Sequence, residues 1–131
     1  MARTGRCTCG GLEVTCDGDP IRISMCHCYA CQKRTGSVFG VQARYPADKV
    51  TARGDEKTYV RIGDDGGKIT FHFCPTCGAT VYWAIDLMPG FVAVAVGAFA
   101  DREFGPPTFS VYEARRHAWT KDPDLQMETW D

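Results

Sequence analysis

The sequence has no long apolar segment and no excess of charge of either sign. No hydrophobic run approaches the roughly 20 residues that a transmembrane helix needs, and the polar stretch 1–6 lacks the apolar centre of a signal peptide. With 15 basic and 16 acidic residues the net charge is −1, and no block of like charge stands out. We therefore expect a cytoplasmic protein that binds neither membranes nor nucleic acid.

Helix signals are also scarce, and the best is Tyr29–Thr35, which Gly36 would end. Elsewhere apolar and polar residues alternate in short stretches between turn residues, which is typical of β-strands. The predicted strands are 12–16, 21–25, 38–45, 57–62, 68–73, 80–85, 91–97 and 109–114. The sequence predicts one mostly β domain over residues 1–131, built of antiparallel hairpins, with an irregular C-terminal tail at 117–131.

Cysteine, in contrast, is abundant, and seven of the eight cysteines fall into three groups. The groups are the N-terminal pair Cys7 and Cys9, the central trio Cys26, Cys28 and Cys31, and the second pair Cys74 and Cys77. In a reducing compartment such groups favour metal ligation over disulfides, and the spacing within them is typical of zinc sites. Because tetrahedral zinc takes four ligands, seven thiols predict one closed and one open site, with two zinc ions per chain.

The two pairs predict the closed site. Gly78 follows the second pair and Gly10 follows the N-terminal pair, so both can form the tight turns in which backbone amides face cysteine sulfurs. Neither pair alone completes a tetrahedron. Joined across the fold, the four thiolates would bind a structural zinc that stabilises a small β domain.

The central trio predicts the open site, because one zinc can bind its three thiolates and keep a fourth position for water or substrate. The alternatives are a closed site, completed by Cys16 or by a histidine such as His72 or His117, and the absence of a second metal. Alternation along the first predicted strand favours Cys16 as a buried apolar side chain. His27 lies between two of the three cysteines and is not expected to reach the same metal.

The three thiolates also indicate the kind of chemistry. They donate so much charge that zinc becomes a weaker Lewis acid than in a three-histidine site, which disfavours hydrolysis. A soft site suits a fourth sulfur ligand and can hold a small thiol beside an electrophile. The residues therefore favour thiol chemistry.

Three linked motifs carry a resemblance to a known family. They are Gly5-x-Cys7-x-Cys9-Gly10, then Cys26-His27-Cys28-x-x-Cys31 with Gly36-Ser37, then Phe73-Cys74-x-x-Cys77-Gly78. The sequence resembles the glutathione-dependent formaldehyde-activating enzymes, also called the centromere-protein-V-like family, over nearly all of residues 3–119. The resemblance implies curled β-sheets of the Mss4-like fold.

The same resemblance implies roles for the cysteines and a reaction. Cys7, Cys9, Cys74 and Cys77 would bind structural zinc, and Cys26, Cys28 and Cys31 would bind catalytic zinc. The reaction joins glutathione to formaldehyde as S-hydroxymethylglutathione, which is a carbon–sulfur lyase reaction in reverse. The alternative from another class is a non-enzymatic zinc module that binds a partner protein, which predicts two closed sites.

No classical general acid or base emerges from the sequence, and charge indicates which residues would bind substrate. Glutathione carries two carboxylates, so cations should lie near the central trio. The candidates are Lys33, Arg34, Arg44, Arg115 and Arg116, each of which could instead be a solvated surface charge. Core packing accounts for most of the aromatic residues Phe71, Phe73, Tyr82 and Trp83, and any near the trio could wall a pocket.

Overall fold

The computed structural model describes all 131 residues as two β-sheets and one short helix. The strands and the helix are β1 (Ala2–Arg6), β2 (Leu12–Asp17), β3 (Arg22–Cys26), α1 (Tyr29–Thr35), β4 (Gly40–Pro46), β5 (Val50–Gly54), β6 (Lys57–Ile62), β7 (Lys68–Phe73), β8 (Thr80–Ile85), β9 (Phe91–Ala95) and β10 (Phe109–Val111). Single 3₁₀ turns lie at Ala47–Lys49, Val96–Phe99, Glu113–Arg115 and Ala118–Lys121. The one α-helix is far too short to cross a lipid bilayer. The protein is therefore mostly β, as its alternating sequence predicts.

The two sheets differ in size. The small sheet has three antiparallel strands in the order β1-β2-β5, and the large sheet has seven in the order β10-β3-β4-β9-β8-β7-β6. Every strand pair is antiparallel except β10 with β3, which is parallel. Hairpins connect β1 to β2, β6 to β7, β7 to β8 and β8 to β9. Both candidate cysteine pairs lie in hairpin turns, at the points where β1 and β7 end.

The main core lies between the sheets. Leu12, Val14 and Cys16 project from β2 and are fully buried against Tyr45 and Val94 of the large sheet. Burial of each large apolar side chain contributes about 1.5–3 kcal/mol. A smaller cluster of Ile69, Trp83 and Ala93 lies in contact with further apolar residues of β7, β8 and β9. The large sheet is therefore buried on both faces near its centre.

The helix occupies the predicted residues. Cys28 caps its N-terminus, where the sulfur accepts a hydrogen bond from the Cys31 amide, and Gly36 ends it in the left-handed conformation with φ 71°. Lys33 and Arg34 lie in the last turn, where they oppose the negative end of the helix dipole. The capping cysteine ties the helix directly to the central trio.

Two of the strands are not predicted from the sequence, and two others end before their predicted limits. β1 (ARTGR) and β5 (VTARG) contain too few apolar residues to alternate, and they form because each pairs with one edge of β2. β9 ends at Ala95 because the chain enters a 3₁₀ turn, and β10 ends at Val111 because Tyr112 takes a positive φ of 57°. The missed strands complete the small sheet that covers the core.

Candidate metal centres and the adjoining cavity

The sulfurs of Cys7, Cys9, Cys74 and Cys77 lie within 4.8 Å of one another. The Cys9 sulfur is 3.7 Å from that of Cys7 and 3.6 Å from that of Cys74. The structure therefore brings the N-terminal pair and the second pair together, as the four ligands of tetrahedral zinc predict. We call this group the four-cysteine cluster.

Backbone amides surround the four-cysteine cluster. The Leu12 amide donates to the Cys7 sulfur over 3.2 Å, and the Thr76 amide donates to the Cys74 sulfur over 3.4 Å. Backbone hydrogen bonds from Ala79 and Cys9 lower the pKa of Cys77 to about 6. Amide donors stabilise thiolates, so this environment favours the ionised forms of Cys74 and Cys77.

A second polar group lies near the hairpin that carries Cys74 and Cys77. The Tyr82 hydroxyl donates to Glu56 over 2.7 Å, and His72 contacts the other oxygen of the same carboxylate. The rings of His72 and Tyr82 stack with centroids 4.1 Å apart. These contacts hold the loop before β6 against β7 and β8, and they engage His72 away from the central trio.

The sulfurs of the central trio also lie within 4.8 Å of one another. Cys26 ends β3, Cys28 caps α1, and Cys31 lies in the first helical turn, so a single strand–helix junction supplies all three. Cys26 and Cys28 are buried and Cys31 is partly exposed. Hydrogen bonds with Cys26 and Cys28 lower the pKa of Cys31 to about 5, and the charge of Arg34 acts in the same direction.

None of the candidate fourth ligands joins the central trio. Cys16 lies in the main core, where burial raises its pKa to about 11. His72 contacts Glu56, and the Nε2 of His117 lies 3.3 Å from the side-chain oxygen of Gln32. The trio is therefore a set of three protein donors, without the fourth that a closed site would need.

His27 is fully buried between two cysteines of the trio, but it faces the C-terminal segment. Its Nε2 lies 3.0 Å from the Ser110 hydroxyl, and its backbone amide donates to the Val111 carbonyl. Burial and the positive charge of Arg116 lower its pKa. His27 thus helps to fix the position of the loop that carries the three sulfurs.

A cavity of about 470 Å³ adjoins the central trio, and all three cysteines line it. Phe71 and Trp83 line the same cavity, whereas Tyr82 lies on the opposite strand face and Phe73 lines a neighbouring cavity. A larger cavity of about 840 Å³ contains only Cys7 among the clustered cysteines. The cavity at the trio is therefore the candidate site for chemistry.

Five arginines give this cavity its charge: Arg22, Arg34, Arg44, Arg61 and Arg115. Three of them are among the candidates from sequence, whereas Lys33 lines a neighbouring cavity and Arg116 pairs with Glu113. Sequence reasoning missed Arg22 and Arg61. Arg22 could have been found by strand parity, because it shares a face of β3 with Cys26.

The remaining lining residues form a rim held by aromatic contacts. The guanidinium of Arg115 lies 5.2 Å from the ring of Tyr29 and 5.1 Å from the ring of Tyr112, and it pairs with Asp64 over 3.4 Å. Arg34 lies 4.2 Å above the ring of Trp83. Stacked arginines keep their charge while their planar faces pack against apolar rings.

Both clusters have the chemistry of soft metal sites. Seven thiol sulfurs in two compact groups, several of them accepting amide hydrogen bonds, fit zinc far better than the hard cations that prefer oxygen. The four-cysteine cluster has the donor number of a closed tetrahedral site. Each cluster could hold a metal ion, and only the central trio lacks a fourth protein donor.

Comparison with known proteins identifies the family. A sequence model of the glutathione-dependent formaldehyde-activating enzyme family matches residues 2–121. The chain belongs to this family. The resemblance noted from the three cysteine motifs is thereby confirmed, together with the mostly β, Mss4-like fold class.

Two individual proteins are similar to this family member. A Talaromyces marneffei protein described as a "Putative glutathione-dependent formaldehyde-activating enzyme" is 35% identical over 81 residues, which cover 60% of this chain and 42% of the fungal protein. The chain thus spans less than half the length of that curated relative. A crystal structure of a Rhodobacter sphaeroides protein superposes with a TM-score of 0.58 at 19% identity, covering 79% of this chain and 91% of the other. This last likeness concerns the fold alone.

Proposed function

We propose that this protein joins glutathione to formaldehyde to form S-hydroxymethylglutathione, with catalytic zinc at the central trio and structural zinc at the four-cysteine cluster. One observation carries the proposal: three soft donors without a fourth protein ligand open onto a cavity lined by five arginines. Such a cavity suits an anionic thiol. Because a reducing compartment keeps cysteines available as ligands, we place the activity in the cytoplasm.

The reaction forms one carbon–sulfur bond and changes no oxidation state. The thiol sulfur of glutathione bonds to the carbonyl carbon of formaldehyde, and the proton lost from sulfur is balanced by one gained at the carbonyl oxygen. Zinc at the trio would supply stabilisation of the thiolate form of glutathione. Cys26, Cys28 and Cys31 hold the metal in this proposal.

The other cavity residues bind and orient the substrates. Arginine side chains attract the glutathione carboxylates and fix the sulfur near the trio, which lowers the entropic cost of reaction. Phe71 and Trp83 form an apolar wall of the cavity, which limits the access of water to it. Partial burial and the nearby Asp64 raise the pKa of Tyr112, so its hydroxyl stays protonated at neutral pH and is available as a hydrogen-bond donor in the cavity.

Metal content and a cobalt spectrum test the open site. We expect two metal ions per chain, and we expect the visible spectrum of the cobalt-substituted protein to change when glutathione is added. The Cys31→Ser variant should lose this response, whereas Cys16→Ala, which removes a thiol outside both clusters, should keep it. A single metal ion per chain would contradict the open site. Two metal ions without a spectral response to any thiol would favour the non-enzymatic zinc module instead.

Turnover requires a separate measurement, because the adduct also forms without an enzyme. We expect the zinc-loaded protein to accelerate exchange between ¹³C-formaldehyde and S-hydroxymethylglutathione, measured by NMR at equilibrium. The Cys16→Ala variant should retain the acceleration and Cys31→Ser should lose it. An exchange rate equal to that of the uncatalysed mixture would contradict the enzymatic proposal.

A further inference from the structure

Two arginines lie directly opposite each other in the large sheet. Arg22 of β3 pairs in register with Arg44 of β4, and both line the cavity beside the central trio. Arg44 is only 8% exposed. Like charges at opposing positions destabilise a sheet, and a buried unpaired charge costs still more. The arrangement is therefore unfavourable in the protein by itself.

No carboxylate of the protein neutralises this pair, because none of the salt bridges includes Arg22 or Arg44. The acidic residues that line the cavity are Asp64 and Asp65. Asp64 pairs with Arg115, and Asp65 accepts a hydrogen bond from the Gly67 amide. Burial and the charge of Arg22 lower the pKa of Arg44. The positive charge of the pair thus remains available to an anion from outside the protein.

An unused hydrogen-bond acceptor lies beside the pair. Gln42 of β4 opposes Ser24 of β3 at the next position on the same strand face, between the two arginines and Cys26. The Gln42 side-chain oxygen is buried without a hydrogen-bond partner, and so is the Nε of Arg22. Two cations next to a free acceptor match the carboxylate and ammonium of an α-amino-acid group.

The distance along the strand sets the size of the ligand. Arg22 and Cys26 are four residues apart, which is about 13 Å between their Cα atoms at about 3.3 Å per residue. Free cysteine carries its carboxylate and ammonium on the same residue as its sulfur. A γ-glutamyl peptide carries them at least one residue further away, and each residue adds about 3.5 Å. Such a peptide can extend from the trio towards the arginine side chains.

We propose that Arg22, Arg44 and Gln42 form a subsite for the α-amino-acid end of a γ-glutamyl thiol. The two guanidinium groups bind the carboxylate, and the Gln42 oxygen accepts a hydrogen bond from the ammonium. The subsite distinguishes the γ-glutamyl end of the peptide from its glycine end. The inference rests on the proposed function in one respect, namely that the thiol sulfur is held at the central trio.

NMR titration of the zinc-loaded protein tests the subsite with three probes. S-methylglutathione has both ends of the peptide but no free thiol, γ-glutamylcysteine lacks the glycine, and cysteinylglycine lacks the γ-glutamyl group. We expect Arg44→Gln and Arg22→Gln to weaken binding of the first two probes by about 10- to 100-fold, the usual worth of hydrogen bonds to charged groups. Binding of cysteinylglycine should change less than about 2-fold.

Two further variants serve as controls. Arg44→Lys keeps the charge and should restore part of the affinity, and Arg53→Gln, at an exposed position on β5, should change nothing. Zinc content and thermal melting identify any variant that fails to fold. If a glutamine variant does not fold, the affinity of Arg44→Lys for the probes is used instead.

The outcomes separate this inference from the proposed function. Unchanged affinity for S-methylglutathione in the glutamine variants, an equal loss for cysteinylglycine, or no binding of S-methylglutathione to the unmodified protein would overturn the subsite. If the variants weaken S-methylglutathione while glutathione and formaldehyde are not converted, the subsite stands and the proposed reaction falls.

Discussion

The two cysteine clusters use the same donor atom in opposite ways. The four-cysteine cluster draws its sulfurs from two hairpin turns that are 65 residues apart at Cys9 and Cys74. The central trio draws all three from one strand–helix junction. A metal at the first cluster would close a long loop and tie the small sheet to the large one, whereas a metal at the trio would constrain only a local turn. This difference supports the proposal of a structural role for the four-cysteine cluster and a chemical role for the central trio.

The two clusters also differ in their surroundings. The four-cysteine cluster adjoins the main core, where Cys7 and Cys74 are packed among apolar residues. The trio adjoins a cavity with five arginines. Apolar packing excludes ligands, and unpaired cations attract them. The two environments therefore predict different responses to the same mutation.

The largest effect is expected from Cys74→Ser, which removes a buried ligand of the four-cysteine cluster. Structural zinc sites contribute about 10–16 kcal/mol of apparent binding energy, and whole proteins are stable by only about 5–15 kcal/mol. Loss of one ligand should therefore leave most of the chain unfolded at 37 °C, with less than one zinc per chain. Circular dichroism and metal analysis measure both. A folded variant with a melting temperature near that of the parent would contradict the structural assignment.

A smaller effect on the fold is expected from Cys31→Ser, which makes the same cysteine-to-serine change as Cys74→Ser but in the central trio. It removes a ligand of the trio, so activity should fall more than about 100-fold, beyond the 10- to 100-fold typical of residues that only orient ligands. The four-cysteine cluster remains intact, and one zinc per chain should remain bound. Steady-state kinetics and thermal melting check this. Equal destabilisation by both variants would remove the distinction between the clusters.

Part of this contrast could be predicted from sequence. Spacing predicts the two pairs and the central trio, because ligands two or three residues apart share a turn, and the four ligands of tetrahedral zinc predict that the two pairs meet. Alternation along β2 places Cys16 in the core, and Gly36 ends the helix as expected. Such features depend on neighbours in sequence. That the clusters bind zinc in the assigned roles remains a prediction.

The features that sequence did not predict depend on contacts between distant segments. Arg61 of β6 and Tyr112 after β10 reach the cavity only because the large sheet places both edges around α1. β1 and β5 form because β2 has two edges to pair, although their own residues do not alternate. Arg22 is the exception, since its parity with Cys26 was available in the sequence.

A moderate effect on stability alone is expected from Tyr82→Phe, near the four-cysteine cluster. The variant leaves a partly buried Glu56 oxygen without its donor, which should cost about 1–2 kcal/mol, within the range for an acceptor left without its partner. Activity should not change, because Tyr82 lies on the sheet face away from the trio. Urea unfolding measures the loss. Tyr59→Phe, on an exposed ring, is the matched control, and a drop in activity would show that the two faces are coupled.

The smallest effect is expected at the C-terminal segment that packs beside the trio. Arg116 and, to a lesser degree, Ser110 and Lys121 lower the pKa of Glu113 through hydrogen bonds. A carboxyl whose pKa is lower in the folded state stabilises the protein fully above its unfolded pKa of about 4.3, and this contribution is lost as the pH falls below that value.

Glu113→Gln should therefore lower the melting temperature slightly at pH 6, and the difference from the parent should narrow as the pH decreases below about 4.3. Metal loss in acid affects both proteins alike, so their difference isolates Glu113. The exposed Glu103→Gln serves as control. A difference that widens in acid would mean that Glu113 is protonated in the folded protein, and the segment beside His27 would then be held by a neutral hydrogen bond rather than by charge.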